Sequence, residues 1–146
     1  MPMIVIGADT EAGESILAEV RETEREVRVF VTDELRAQRL KGLGYKVATG
    51  DVSDESHVEG AALRCFSAVL IAEAAADARE RSFADTPETV LKGWAHAVAN
   101  AGVRRVIWVT DGETPAVEVP EVAKVRADDP DLPRKVLALD DASSLP

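Results

Sequence analysis

The chain has 146 residues, 46% of them hydrophobic, a single cysteine and a formal net charge of −10. That length gives one domain with a sizeable core; the lone Cys65 excludes internal disulfides and cysteine-cluster metal sites; and the acidic balance argues against nucleic acid, which needs a basic patch. Apolar runs such as Ala68–Ala72 and Val106–Val109 fall far short of the roughly 20 residues of a membrane span, and no basic or signal-like stretch opens the chain, so the cytoplasm is the expected compartment.

In chain order, short apolar runs alternate with helix-period segments, the pattern of parallel βαβ units. Strands are expected at Met3–Ile6, Val27–Val31, Tyr45–Ala48, Ala68–Ala72 and Val103–Val109. Four of them are apolar at nearly every position, as strands covered on both faces must be; the third is interrupted by Lys46. The first helix spans about Ala12–Glu22, with Ile16, Leu17 and Val20 on one side, and the second about Glu34–Leu43, with Leu35, Leu40 and Leu43. The third carries Val58, Ala61, Ala62, Cys65 and Phe66 at helical spacing behind Asp54 as N-cap. Residues Glu73 to Asp85 are Ala-rich and charged, a helix extension or a loop. A fourth helix opens with Thr86 and Pro87, buries Val90, Leu91, Trp94 and Val98, and ends at Gly102.

After Thr110 the register breaks. Pro115, Pro120, Pro130 and Pro133 punctuate a stretch with two candidate strands, Val122–Val125 and Lys135–Leu139. Residues 111–146 hold nine Asp/Glu against four Lys/Arg, which reads as a solvated acidic tail. The expected fold is a single-domain, three-layer, doubly wound parallel α/β sheet in order 3-2-1-4-5. Residues 1–112 form its core, and the acidic, proline-rich 113–146 segment is a candidate to add an edge strand.

Gly7-Ala8-Asp9-Thr10-Glu11-Ala12-Gly13 follows the first strand. Glycines let backbone approach a pyrophosphate at the positive end of a helix; Gly7 suits the tight turn and Gly13 the close helix–strand contact. The central glycine is replaced by Thr10, whose side chain is expected to project to where a pyrophosphate would lie, and Asp9, Glu11 and Glu14 add negative charge beside it. Asp33 ends the second strand, placed either to accept both hydroxyls of an adenosine ribose or to cap the second helix. As a ribose ligand it favours NAD over NADP, a preference softened by Arg36, Arg39 and Lys41. Gly50-Asp51-Val52 ends the third strand, where Asp51 is an acceptor for the adenine amine or part of a plain turn.

The blocks GADTEAG, EVRVFVTD (Glu26–Asp33), ATGDVSDESHVEGAALRCFSAVLIA (Ala48–Ala72) and KGWAHAVANAGVRRVIWVTDG (Lys92–Gly112) arrive in order. Together they resemble the Rossmann half of the atypical short-chain dehydrogenase/reductases, especially the NmrA-like NAD(P)-binding group. The resemblance covers about residues 3–112 and implies a dinucleotide, NAD or NADP, held by Gly7, Ala8, Thr10, Gly13, Thr32, Asp33, Gly50, Asp51, Val52 and Ala72. The departures are Thr10 at the central glycine, Thr32 where NADP-binding members often carry Arg, and Thr110-Asp111 in place of the family's Ser pair. No Tyr-x-x-x-Lys occurs, and no substrate-binding half is expected to follow the Rossmann half. The expectation is therefore a non-catalytic or degenerate NAD-preferring protein, with no catalytic residue assigned. A potassium-transport regulator's nucleotide-binding domain is a competing resemblance. A fold that has lost nucleotide binding and serves as an interaction module is the alternative; a reductase working with a partner subunit is a third.

His57 and His96 sit on different helices without ligand partners nearby, so no metal is expected. Ser15, Ser56 and Cys65 have no recognisable base partner, and Trp94 and Trp108 read as core. Partners beyond a dinucleotide, whether a second copy or another protein, stay open.

Overall fold

A computed structural model describes residues 2–76 and 86–145. Among them six strands form one sheet: β1 (Met3–Ile6), β2 (Val27–Val31), β3 (Lys46–Thr49), β4 (Ser67–Ile71), β5 (Arg105–Val109) and β6 (Glu121–Val125). Their order is β3-β2-β1-β4-β5-β6, and every pairing is parallel. The strand order reverses between β1 and β4, and in such sheets the C-terminal strand ends at that switch point are the usual ligand position.

Helices α1 (Glu11–Val20), α2 (Glu34–Gly42), α3 (Glu55–Ala62), α4 (Glu73–Ala76), α5 (Pro87–Asn100) and α6 (Leu132–Asp141) flank the sheet. One face buries Ile16, Leu17, Ala37, Leu40, Val136 and Leu137 against Val5, Val29 and Ile107; the other buries Val58, Ala74, Trp94 and Val98 against Ile4, Leu70 and Trp108. β1, β4 and β5 are buried at every position, as the near-continuous apolar runs require. Thr10, Asp33, Asp54 and Thr86 each cap the helix that follows through a side-chain oxygen, and Gly102, with φ of +85°, follows α5.

Three expectations are corrected. The run Lys135–Leu139 is helical: Leu132, Val136 and Leu137 are the buried residues of α6, a spacing of a helix face, and Pro133 suits a first turn. Helix α3 stops at Ala62 because Leu63 turns extended, with ψ of 133°, and Arg64 takes φ of +66°; Cys65 is buried beyond the helix rather than on it. Within the acidic segment the candidate edge strand at Val122–Val125 is realised, as β6 pairs with β5, while the reading of a solvated tail gives way where α6 packs beside α1. Residues 110–120 join β5 to β6 without a helix, and Val117 and Val119 cover part of the α5 face. Of Glu73 to Asp85, the described part begins as α4, and residues 77–85 lie outside the described residues.

Candidate functional site

Parallel pairing carries the residues singled out in the sequence to one edge, because Gly7, Thr32, Gly50 and Ala72 each follow the C-terminal end of a strand. Gly7 leaves β1 with φ of +90°, a conformation that suits glycine. The Thr10 N–H donates to the Gly7 carbonyl at 3.1 Å, closing the turn. Helix α1 then packs with backbone against backbone: a Cβ on Gly13 would overlap the Gly7 carbonyl oxygen and stand 2.7 Å from Ala8 Cα. The two glycines of the turn are both required by geometry.

Thr10 behaves differently from the expectation of a side chain projecting over the helix start. Its hydroxyl donates to the Gly7 carbonyl at 2.6 Å and accepts the Gly13 N–H at 3.0 Å. Oγ1 is folded into the turn, where it rebuilds with one hydroxyl the tightness a glycine backbone would have allowed. As at any helix start, the first N–H groups have no acceptor within the helix. Gly13 is satisfied by Thr10, which leaves those of Glu11 and Ala12 for an outside acceptor.

Charge at this turn is uneven. The Glu14 carboxylate pairs with Arg39 of α2 at 2.6 Å, which draws it toward α2. Glu11 is exposed at the rim. Asp9 is only 8% exposed, and its main-chain carbonyl receives the Arg36 guanidinium.

At the tip of β2, Asp33 Oδ1 accepts the N–H groups of Leu35 at 2.8 Å and Arg36 at 3.1 Å, so the capping alternative is realised in this geometry. The Thr32 hydroxyl beside it is buried with no hydrogen-bond partner among the described residues. At the tip of β3, Asp51 Oδ1 accepts from the Ser53 N–H at 2.8 Å and its hydroxyl at 2.6 Å, folding Gly50-Asp51-Val52-Ser53 into a turn. The buried Trp94 indole N–H donates to the Val52 carbonyl at 2.7 Å, tying that turn to α5. Ala72 anchors the end of β4 through its N–H to the Val109 carbonyl at 3.1 Å.

The sequence reading missed two contributors. Arg36 links α2 to the Gly7–Gly13 turn; its proximity in the chain was visible but its target was not. A cavity of about 400 Å³ lies between Glu11, Ala12 and Ser15 of α1, Glu73 of α4, and Asp129, Leu132 and Pro133 beyond β6. That last wall comes from the segment read as a tail, and no local signal announces it.

Among the described residues the His57 ring stands against Gly50 at the candidate site, whereas Tyr45, Thr110, Asp111 and Cys65 are elsewhere or engaged. Tyr45, the only tyrosine, precedes β3 at the opposite end of the sheet and donates to the Leu17 carbonyl at 3.1 Å; burial pushes its phenol up. Thr110 accepts the Gly112 N–H at 3.0 Å, and Asp111 accepts that of Ala127 at 3.0 Å. Burial raises the Cys65 thiol, the opposite of what a nucleophile needs. Among the described residues no three His, Cys, Asp or Glu side chains group to hold a metal.

A family model described as NAD(P)H-binding matches residues 7–136. An anaerobillin reductase from Escherichia coli O157:H7 is similar in structure, with a TM-score of 0.59 and 23% identity over 75% of this chain and 50% of that one. The triphenylmethane reductase of Citrobacter sp., complexed with NADP(H), has a TM-score of 0.62 and 16% identity over 75% and 37%. An NADPH-dependent quinone oxidoreductase of Escherichia coli, complexed with NADPH, has a TM-score of 0.62 and 19% identity over 74% and 36%. The chain thus spans half or less of the length of these proteins. No curated protein matches it significantly.

Proposed function

The chain belongs to the NAD(P)H-binding family, and from that premise we propose that it is a dinucleotide-binding module with a sensing or regulatory role and no reductase chemistry of its own. The observation that carries this reading is the Gly7–Gly13 turn. Its helix start lies against backbone where any side chain on Gly13 would collide, and the Glu11 and Ala12 amides are left for an anion. The buried Thr32 hydroxyl, without a partner among the described residues, fits a ligand at the ribose end. A bound nicotinamide would supply a hydride donor or acceptor. This chain's own part is to hold the pyrophosphate at α1, the ribose at Thr32 and Asp33, and the adenine beside Gly50, Asp51 and Val52, with Ala8 and Ala72 flooring the crevice.

NAD is the preferred form in this reading. A carboxylate at the tip of β2 accepts a ribose diol and repels a 2′-phosphate, whereas Arg36 is held by the Asp9 carbonyl and Arg39 by Glu14. Calorimetric titration of the full chain tests it: NADH binds more tightly than NADPH. The reverse order would assign the ribose end to Arg36 or Arg39. Binding of neither would favour the second reading, an interaction module whose nucleotide site is closed by the carboxylates of Asp9 and Glu11.

A further inference from the structure

We propose that His57 of α3 is the base-contacting wall of the dinucleotide site, an imidazole platform on which the adenine ring stacks beside Gly50; the inference rests on the dinucleotide reading above. A Cβ built on Gly50 would overlap His57 Nδ1 and stand 2.5 Å from Cε1, so the ring occupies the space that a side chain at position 50 would take. Backbone conformation does not account for this glycine. Among the described residues the positive φ values belong to Gly7, Gly44, Gly102 and Arg64, and only there does the backbone itself favour glycine. Glycine at the tip of β3 instead admits the imidazole against bare backbone.

The ring is held in place and still open to solvent. Asp54 Oδ1 accepts the His57 N–H at 3.2 Å, which fixes the first turn of α3. The buried Phe30 ring meets the imidazole edge to face, with centroids 5.3 Å apart and planes at 80°. His57 is nevertheless exposed, whereas its neighbour Val58 is fully buried. An aromatic ring seated in this way has little freedom left to lose when a second planar group is laid on it, and that preorganisation favours binding.

A second observation adjoins it. The Gly50 N–H donates to the Val31 carbonyl at 3.0 Å, so the tip of β3 lies against that of β2, where the Thr32 hydroxyl is buried without a partner among the described residues. A buried hydroxyl calls for a hydrogen-bonding group, and an exposed ring offers a surface to a flat one. A nucleoside carries both, sugar hydroxyls for Thr32 and a π-face for His57. Stacking accepts any base because every base has a π-face. The contact therefore supplies affinity at the base end and does not choose between NAD and NADP.

The test titrates NADH and ADP-ribose, which keeps the adenosine end and lacks the nicotinamide, into the full chain as wild type, His57→Ala and His57→Phe. His57→Ala is expected to weaken both ligands equally, by at least about fivefold, the lower end for a base that loses its aromatic platform. His57→Phe is expected to bind both close to wild type. Unchanged affinity in His57→Ala, a loss confined to NADH, or an equal loss in His57→Phe overturns the inference. A second measurement needs no change at position 57. In the ADP-ribose complex of the wild type, NMR is expected to show magnetisation transfer between the adenine H2 or H8 and the ring protons of His57. The chain has two histidines, and His96→Gln distinguishes their signals. A complex that forms without that transfer overturns the inference and leaves dinucleotide binding intact. If neither ligand binds the wild type, the dinucleotide reading itself fails and the inference with it.

Discussion

Arg105 donates to the Glu121 carboxylate at 2.7 Å from a side chain with no exposed surface, and the same guanidinium donates to the main-chain carbonyls of Leu139, Asp140 and Ala142. It lies over the Phe66 ring, 5.1 Å from the centroid. One arginine at the start of β5 thus gathers β6 and the C-terminal end of α6, where unpaired carbonyls and the helix dipole favour a cation. Beside it, Asp140 accepts from Ser67 at 2.5 Å and from Arg25 at 2.9 Å. This network, at the edge opposite the candidate site, holds the last layer of the fold in place.

Arg105→Ala is expected to destabilise the protein by about 3–5 kcal/mol, because it leaves a partly buried carboxylate and three carbonyls without their donor. Urea unfolding measures it. A loss under about 1 kcal/mol would mean that solvent reaches these groups and that the network is replaceable.

Stability should fall in acid partly through Glu121. Its carboxyl is held below the usual range, chiefly by the hydrogen bond from Arg105 and also by the Leu145 N–H. A group with a lowered folded pKa contributes stability above its unfolded value, about 4.3 for Glu, and that contribution is lost as pH falls through the lower folded value. Asp128 and Asp129 shift in the same direction, so the comparison isolates Glu121: Glu121→Gln is expected to flatten the dependence of urea midpoint on pH below about 4.3. Parallel curves for variant and wild type would contradict it.

Gly13→Ala is expected to cost about 1–3 kcal/mol, the range for overpacking a tight contact, since backbone atoms rather than a movable side chain stand in the way. Binding of NADH should weaken in parallel as α1 is pushed from the turn. Thermal unfolding and calorimetry on one sample check both; retained stability would show that α1 can shift freely.

Trp94→Phe keeps the ring but removes the donor to the Val52 carbonyl. A buried carbonyl without its partner costs about 1–3 kcal/mol, and the Gly50–Ser53 turn loses its tie to α5. The expected signature is lower stability together with weaker NADH binding. A stability loss with unchanged affinity would remove that turn from the cofactor site.

The protein alone is expected to oxidise no NADH in the presence of carbonyl acceptors. The only phenol donates to Leu17 at the far end of the sheet, too far from the strand tips to protonate an alkoxide developing there. Turnover that persists in Tyr45→Phe would reveal an acid outside this account.

Much of the fold was legible because its signals are local. Apolar runs marked β1, β2, β4 and β5, and caps at Asp54 and Thr86 marked helix starts to the residue. Gly7 and Gly13 stood out because a tight turn and a close helix contact leave few alternatives to glycine. Thr10 was misjudged for the converse reason: whether a hydroxyl projects outward or folds into the turn depends on two acceptor and donor groups that only the closed turn brings within reach. Asp33 was read with both of its roles, and in the folded chain its Oδ1 caps α2.

The sequence by itself determined the alternation of strand and helix, the parallel sheet and the glycine turn, since each follows from periodicity and backbone sterics within a few residues. Only the tertiary structure decided the fate of residues 113–146. Their charge and prolines resemble a solvated tail, but Arg25 and Arg105 lie 115 and 34 residues from their respective partners Asp140 and Leu139. No local pattern encodes such distances. Burying Arg105 is tolerable only when the carboxylate and carbonyls that satisfy it arrive together, and that condition exists only in the folded chain.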